Sequence, residues 1–218
     1  MIDRVVYDWA PLVALLAVGL FVTDWTLTHV GAAASKKVAE RWAVEGSYEL
    51  NPTWQSEVDS GRRFTWRLVG VGVVLAGLLL AIRWLIELGE LDPAIFAAAA
   101  GAVLLIQAPT IMVHANNLQT FRDLADPTAI TGSVRFSRWL VLRQAAWYLV
   151  RFAALWLVLW VPSQQAFFLG GALSCLLFGR RLLLLPAAKR TATASTSLAP
   201  ATASSAAVGP SDESLTIP

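Results

Sequence analysis

Apolar positions in this chain run in long stretches instead of the short alternations of a soluble fold. Five of these stretches are long enough, or nearly so, to cross a hydrocarbon core of about 30 Å, which takes about 20 helical residues. They fall at Ala10–Ala32, Trp66–Ile86, Ala94–His114, Ala145–Val161 and Gln164–Leu185. The pattern predicts an all-α integral membrane domain of about five transmembrane helices over residues 1–186. From Ala187 the chain turns to Ala, Ser, Thr and Pro, which predicts a disordered tail over 187–218. The last two spans, joined at Pro162–Ser163, read as a tight hairpin that need not cross fully.

Composition agrees. Hydrophobic residues make up 56% of the 218, and charged residues 15%, where a soluble domain carries about 25% charged. That excludes an ordinary soluble domain and a wholly disordered chain. The single Cys175 excludes a disulfide within the chain and any cysteine-based metal site. A net charge of +2 gives no case for nucleic acid as a partner. Trp9, Trp66, Trp84 and Trp160 fall near span ends, as an interfacial belt requires.

The basic residues set an orientation. Arg4 and Arg83 fall on one side of the five-span arrangement. On the other are Lys36, Lys37, Arg41, Arg62, Arg63, Arg67, Arg122, Arg135, Arg138, Arg143, Arg180, Arg181, Lys189 and Arg190. Cytoplasmic loops carry such an excess, which puts the N-terminus outside and the C-terminus in the cytoplasm, in an inner (plasma) membrane. Asp3, Asp8, Asp24 and His29 argue for a retained first helix over a cleaved signal peptide, despite the A-x-A pattern at Ala32–Ala34. In the first cytoplasmic loop, Ser35 to Val44 reads as a continuation of the helix, with Gly46 as its stop. Val38 and Trp42 would rest on the membrane interface.

Charge inside the spans is scarce, and Asp24 is the one short charge well inside. Three polar stripes occur at helical spacing: Asp24 and Thr28; Gln107, Thr110, His114 and Asn117; and Gln144, Tyr148 and Arg151. At about 1.5 Å rise per residue, Asp24 lies roughly 12 Å below the cytoplasmic end of its span, Gln107 about 10 Å and Arg151 about 9 Å. Those depths predict an Asp24–Arg151 ion pair, with Gln107 and Thr110 completing its hydrogen bonds. Such a pair would fix helix packing, or line a cytoplasm-facing cavity for a lipid headgroup, an ion or a small polar substrate. His114, read as sitting at a helix end, suits general acid–base work. His29, His114, Asp24 and Glu49 could together form a nitrogen–oxygen metal site, but no ligand pair at helical spacing supports one, so no metal and no cofactor are expected.

The order Asp24-x-x-x-Thr28, then Gly46-x-x-Glu49-x-Asn51-Pro52 before the next helix, resembles a group of small bacterial and archaeal membrane proteins of unknown function. In that group the Asp and Thr sit in the first helix, and E-x-N-P opens the segment before the second. The resemblance covers about residues 20–90; the longer first loop, the two extra helices and the tail depart from it. It implies weight for those six positions and supplies no reaction. The residues themselves predict a helix opening at Pro52 with Asn51 as cap, and Glu49 near the exposed N–H groups of that helix start.

The functional expectation is a non-enzymatic multi-pass protein whose buried polar cluster organises the helices or binds a lipid or partner. A small-substrate or proton-coupled transporter using Asp24 and Arg151 is the alternative. A membrane-embedded hydrolase or transferase using Asp24, Glu49 and His114 is a third. The sequence gives no oligomeric state.

Overall fold

The computed structural model describes residues 1–45, 48, 49, 51, 53–126, 128, 129 and 131–197, with side chains described as far as Leu184. Five of its helices are long and apolar enough to cross a membrane. A short α1 (Ile2–Asp8) leads into α2 (Ala10–Lys37), with Pro11 in the first turn of α2, where a missing N–H costs nothing. After a loop come α4 (Trp66–Leu88) and α5 (Ala94–Asp123), then α6 (Arg138–Ser163) and α7 (Ala166–Ser197); a five-residue α3 (Gln55–Asp59) precedes α4.

The core forms where small residues let helices approach. Ala10, Ala14 and Ala17 of α2 meet Phe96, Ala100 and Leu104 of α5, with Leu79 and Ile86 of α4 and Tyr7 of α1 closing the cluster. Lipid is as apolar as leucine, so close van der Waals fit, more than burial, decides such packing. It is closest between α5 and α7: Gly101 abuts the backbone at Phe167, and Gly170 abuts the backbone at Ala98. The Ala97-x-x-x-Gly101 pattern is therefore a helix-packing surface. Large apolar side chains elsewhere on the spans, such as Leu15, Val74, Leu78, Val158 and Leu177, point away from the protein, as a lipid solvent permits.

One end of the bundle is tied by the N-terminus. The Met1 ammonium donates to Gln165 Oε1 at 2.9 Å, and the Asp3 carboxylate accepts from the N–H groups of Ala166 and Phe167 at 2.8 and 3.0 Å. Asp3 thereby supplies from a distant part of the chain the acceptors that the start of α7 needs. Arg83 stacks on the Tyr7 ring at 5.4 Å and pairs with Glu87 at 2.8 Å. The N-terminus, the α4–α5 link and the α6–α7 turn thus share an end, as the five-span arrangement requires. We call the other the basic end.

At the basic end the two large loops meet. Trp42–Val44 (β1) and Val134–Phe136 (β2) pair in parallel, Trp42 opposite Val134 and Val44 opposite Phe136. The expected helix through Val44 is corrected: α2 stops at Lys37, and the chain turns into a strand. Val38 and Trp42 do not rest on the membrane interface. Val38 is buried with Phe121 and Leu124, and the Trp42 ring packs on Phe121 at 4.8 Å and Phe136 at 6.0 Å. Arg41 donates to the carbonyls of Leu124 and Asp126, at 3.1 and 2.9 Å, holding the cap onto the end of α5.

Other boundaries also move. α5 runs past His114 to Asp123, so His114 lies inside a helix and not at its end. α6 starts at Arg138, capped by Ser137, and both helices of the final hairpin are long enough to span. The backbone of α7 is helical as far as Ser197, into the segment read as tail; residues 198–218 lie outside the described residues. Gly46, Pro52 and Pro127 also lie outside them.

Candidate functional site

The polar residues of α2 and α5 meet just beneath the cap. Thr28 and His29 are the two buried polar residues among those described, at 3% and 7% exposure. Thr28 gives its hydroxyl proton to the Asp24 carbonyl one turn back, at 2.9 Å. Its oxygen is then an acceptor toward His114 Nε2, 3.2 Å away. That puts the imidazole proton on Nε2. The same nitrogen stands 3.5 Å from Asp24 Oδ1. His114 is thus fixed in tautomer and orientation by the Thr28 hydroxyl, with the Asp24 carboxylate beside it, and its Nδ1 has no hydrogen-bond partner.

The loop supplies a lid. Tyr48 lies over Gly31, where a Cβ would collide with the phenol, and its ring rests near His114 (centroids 6.3 Å apart) and Phe121 (5.9 Å). Asn117, one turn beyond His114 on α5, approaches the phenol, but Tyr48 Oη lacks a partner of full hydrogen-bond geometry. Burial pushes the Tyr48 phenol up to about 12; the Asn117 amide opposes this, and the charges of Glu49 and Asp24 reinforce it. The phenol is a donor at neutral pH. The charge of Glu49 also reaches Asp24, so two carboxylates share the neighbourhood of one imidazole.

The rest of the motif loop is a turn and not a helix start. The Glu49 carboxylate accepts from Asn51 N–H at 2.6 Å, and Asn51 Oδ1 accepts from Thr53 N–H at 3.1 Å. Such an Asx turn is what asparagine favours outside helices. The helix begins later, at Gln55, so Asn51 does not cap it. Trp54 then packs on Trp25, ring centroids 5.1 Å apart, with Val58 buried against Trp25 and Ala32.

The expected Asp24–Arg151 pair does not form. Arg151 is exposed on α6, which packs chiefly on α7, and Asp24 Oδ1 instead stands 3.5 Å from His114 Nε2. Equal depth along the membrane normal does not decide which helices are neighbours. Tyr148 faces Phe152 on its own helix, 5.6 Å between rings. Thr110 donates to its own helix at Ile106 O, and Gln107 has no hydrogen bond among the described residues. Asp24, Thr28, His114, Asn117 and Glu49 therefore come together, while Gln107, Thr110, Tyr148 and Arg151 stay outside. Tyr48 belongs to the site without having been singled out. No spacing pointed to it, since a lone aromatic in a loop belongs to no helical stripe.

Nor do the four residues weighed as metal ligands converge. His29 commits Nδ1 to the Trp25 carbonyl at 3.1 Å, beside a separate cavity with Arg63. Among the described residues no group of three or more His, Cys, Asp and Glu side chains is placed to hold a metal ion. No known family model, no curated protein and no solved structure matches this chain.

Proposed function

We propose that this multi-pass membrane protein resides in the inner (plasma) membrane, N-terminus outside, and binds a small polar ligand at the Asp24–His114–Tyr48 cluster. The cluster also joins α2 to α5. The basic-residue asymmetry supports the orientation, since the strands, α3 and the basic loops share one end. One observation carries the binding role. Asp24 Oδ1, His114 Nδ1 and Tyr48 Oη are buried without hydrogen-bond partners in one small region, and native proteins seldom leave such atoms unmatched. With Asp24 and Glu49 nearby, the ligand donates hydrogen bonds and is neutral or cationic; an anion is disfavoured. A polar joint that merely organised the helices would be expected to satisfy its own atoms.

The test is the thermal stability of the purified full chain in nanodiscs against sodium, methylammonium, ethanolamine, glycerol and inorganic phosphate. One of the first four raises the unfolding temperature of the wild type, and Asp24→Asn removes that rise while remaining folded. A shift that survives Asp24→Asn, or a response to phosphate alone, would overturn the reading. The imidazole favours a second role, because a histidine anchored through one nitrogen by a hydroxyl, with a carboxylate 3.5 Å away, and open at the other is the arrangement of a general base. A membrane-embedded hydrolase or transferase would lose lipid or ester turnover in His114→Ala without loss of fold.

A further inference from the structure

A small pocket lies on the other side of α2 from that cluster, against the segment that enters α4. It is a cavity of about 90 Å³ lined by Trp25, Thr26, His29, Val30 and Arg63. That is the space of roughly three waters at their liquid share of about 30 Å³ each, enough for one phosphate-sized group. None of the lining residues is acidic.

Its walls are fixed by specific contacts. The Trp25 indole N–H donates to the Arg63 carbonyl at 2.7 Å, which pins the backbone of Arg63 beside α2. The His29 ring packs against the Trp25 ring, centroids 4.2 Å apart. His29 is 7% exposed, its Nδ1 is engaged with the Trp25 carbonyl, and its Nε2 has no partner. With the proton on Nδ1, the neutral ring offers a buried lone pair at Nε2. Arg63 has an exposed side chain and forms no ion pair among the described residues.

The surroundings are those of a bilayer surface. Phe64 and Trp66 follow Arg63 and are 65% and 81% exposed, with ring centroids 5.7 Å apart. Exposed aromatics beside arginines at the start of a membrane helix sit at headgroup level. Val30, on the cavity wall, is also exposed.

We propose that this cavity binds the headgroup of a hydroxyl-bearing anionic phospholipid. The Arg63 guanidinium takes the phosphodiester, and His29 Nε2 accepts a hydrogen bond from a headgroup hydroxyl. A guanidinium fork matches phosphate oxygens, and the imidazole lone pair requires a donor, so the two ask for different parts of one headgroup. The acyl chains then lie along the exposed face at Val30, Phe64 and Trp66. This site is independent of the Asp24–His114 cluster, which has the opposite charge preference.

The experiment is native mass spectrometry of the delipidated full chain in detergent, titrated with phosphatidylglycerol, phosphatidylcholine, diacylglycerol or inorganic phosphate. The wild type is expected to retain phosphatidylglycerol at least tenfold more tightly than phosphatidylcholine, which has the phosphate but no headgroup hydroxyl. Diacylglycerol, which has no phosphate, is expected to bind no better than phosphatidylcholine. Arg63→Gln should weaken retention of both phospholipids, Arg63→Lys should restore part of it, His29→Phe should remove the preference for phosphatidylglycerol, and the neighbouring Arg62→Gln should leave both intact. Unfolding temperatures verify that each variant is folded. Equal retention of the two phospholipids by the wild type, unchanged retention in Arg63→Gln, or an unchanged preference in a folded His29→Phe overturns the proposal. Competition by inorganic phosphate at lipid concentrations makes the site one for free anions and also overturns it.

Discussion

His114 Nε2 stands 3.5 Å from Asp24 Oδ1 across the α2–α5 interface, and the Thr28 hydroxyl closes the triangle at 3.2 Å from the same nitrogen. The carboxylate and the imidazole therefore depend on each other. Removing the ring takes away the N–H that faces the partly buried Asp24 carboxylate, a loss of about 1–3 kcal/mol. We expect His114→Ala to lower the unfolding temperature and Asp24→Asn in the same chain to recover part of the loss. The coupling in the double-mutant cycle should fall near about 1 kcal/mol, as for side-chain pairs between membrane helices. Arg151→Gln should be silent, and additive with Asp24→Asn. A cycle coupling Asp24 to Arg151 instead would contradict the observed geometry.

How much of this was readable beforehand differs between the spans and the site. The five spans were plain because a membrane helix must be apolar over its whole length, and α2 and α4 begin at the expected residues Ala10 and Trp66. Arg151 shows the limit. Spacing places it at a depth and on a face, but only tertiary packing decides that α6 turns toward α7 and away from α2. The parallel pairing of Trp42–Val44 with Val134–Phe136 was hidden for a related reason. Each strand is three residues long, and its partner lies far along the chain. Good helix formers from Ser35 onward masked the first strand, because local propensity yields to the apolar contacts of Val38 and Trp42 with Phe121. Asp24, Thr28 and Glu49 were legible through scarcity of charge and motif spacing; Tyr48 was not, because an aromatic in a loop carries no period.

Tyr48 gives a pH-dependent expectation. Folded, the phenol keeps its proton up to about 12, against 10.0 for an ordinary tyrosine. The native state therefore holds a proton that the unfolded chain loses, so the stabilisation is whole below about 10 and disappears as pH rises toward 12. Ultraviolet titration of tyrosinate should show one tyrosine ionising late in the wild type and not in Tyr48→Phe. At neutral pH, Tyr48→Phe removes a buried unpartnered hydroxyl, so the unliganded protein should be unchanged or stabilised by up to about 1 kcal/mol. If a ligand uses that hydroxyl, its stabilising effect falls in the same variant.

Gly101 and Gly170 make a steric prediction. Each abuts the backbone of the opposite helix, so an added methyl has no flexible side chain to displace. Gly170→Ala should cost at least the about 1–3 kcal/mol typical of overpacking, because α5 and α7 must separate to admit it. Gly77→Ala serves as control, since nothing lies within 4 Å of where its Cβ would be. Unfolding temperatures in one detergent compare the two. Equal stability of the two variants would mean that the α5–α7 approach is looser than observed.

Asp3 tests the opposite end of the bundle. Its carboxylate accepts from two backbone N–H groups at the start of α7, at 2.8 and 3.0 Å, although it belongs to α1. The loss of a helix-capping acceptor costs about 0.5–2 kcal/mol, and Asp3→Ala should approach the upper figure because two donors lose a charged partner. The neighbouring Arg4 is a surface control, paired with Asp8 on its own helix at 3.2 Å with both side chains well exposed. Arg4→Ala should change stability by at most about 0.5 kcal/mol. Hydrogen exchange locates the effect: in Asp3→Ala the amides of Ala166 and Phe167 should exchange faster, while those around His114 remain protected. Faster exchange throughout α5 as well would show that the N-terminal tie holds the whole bundle, and not α7 alone.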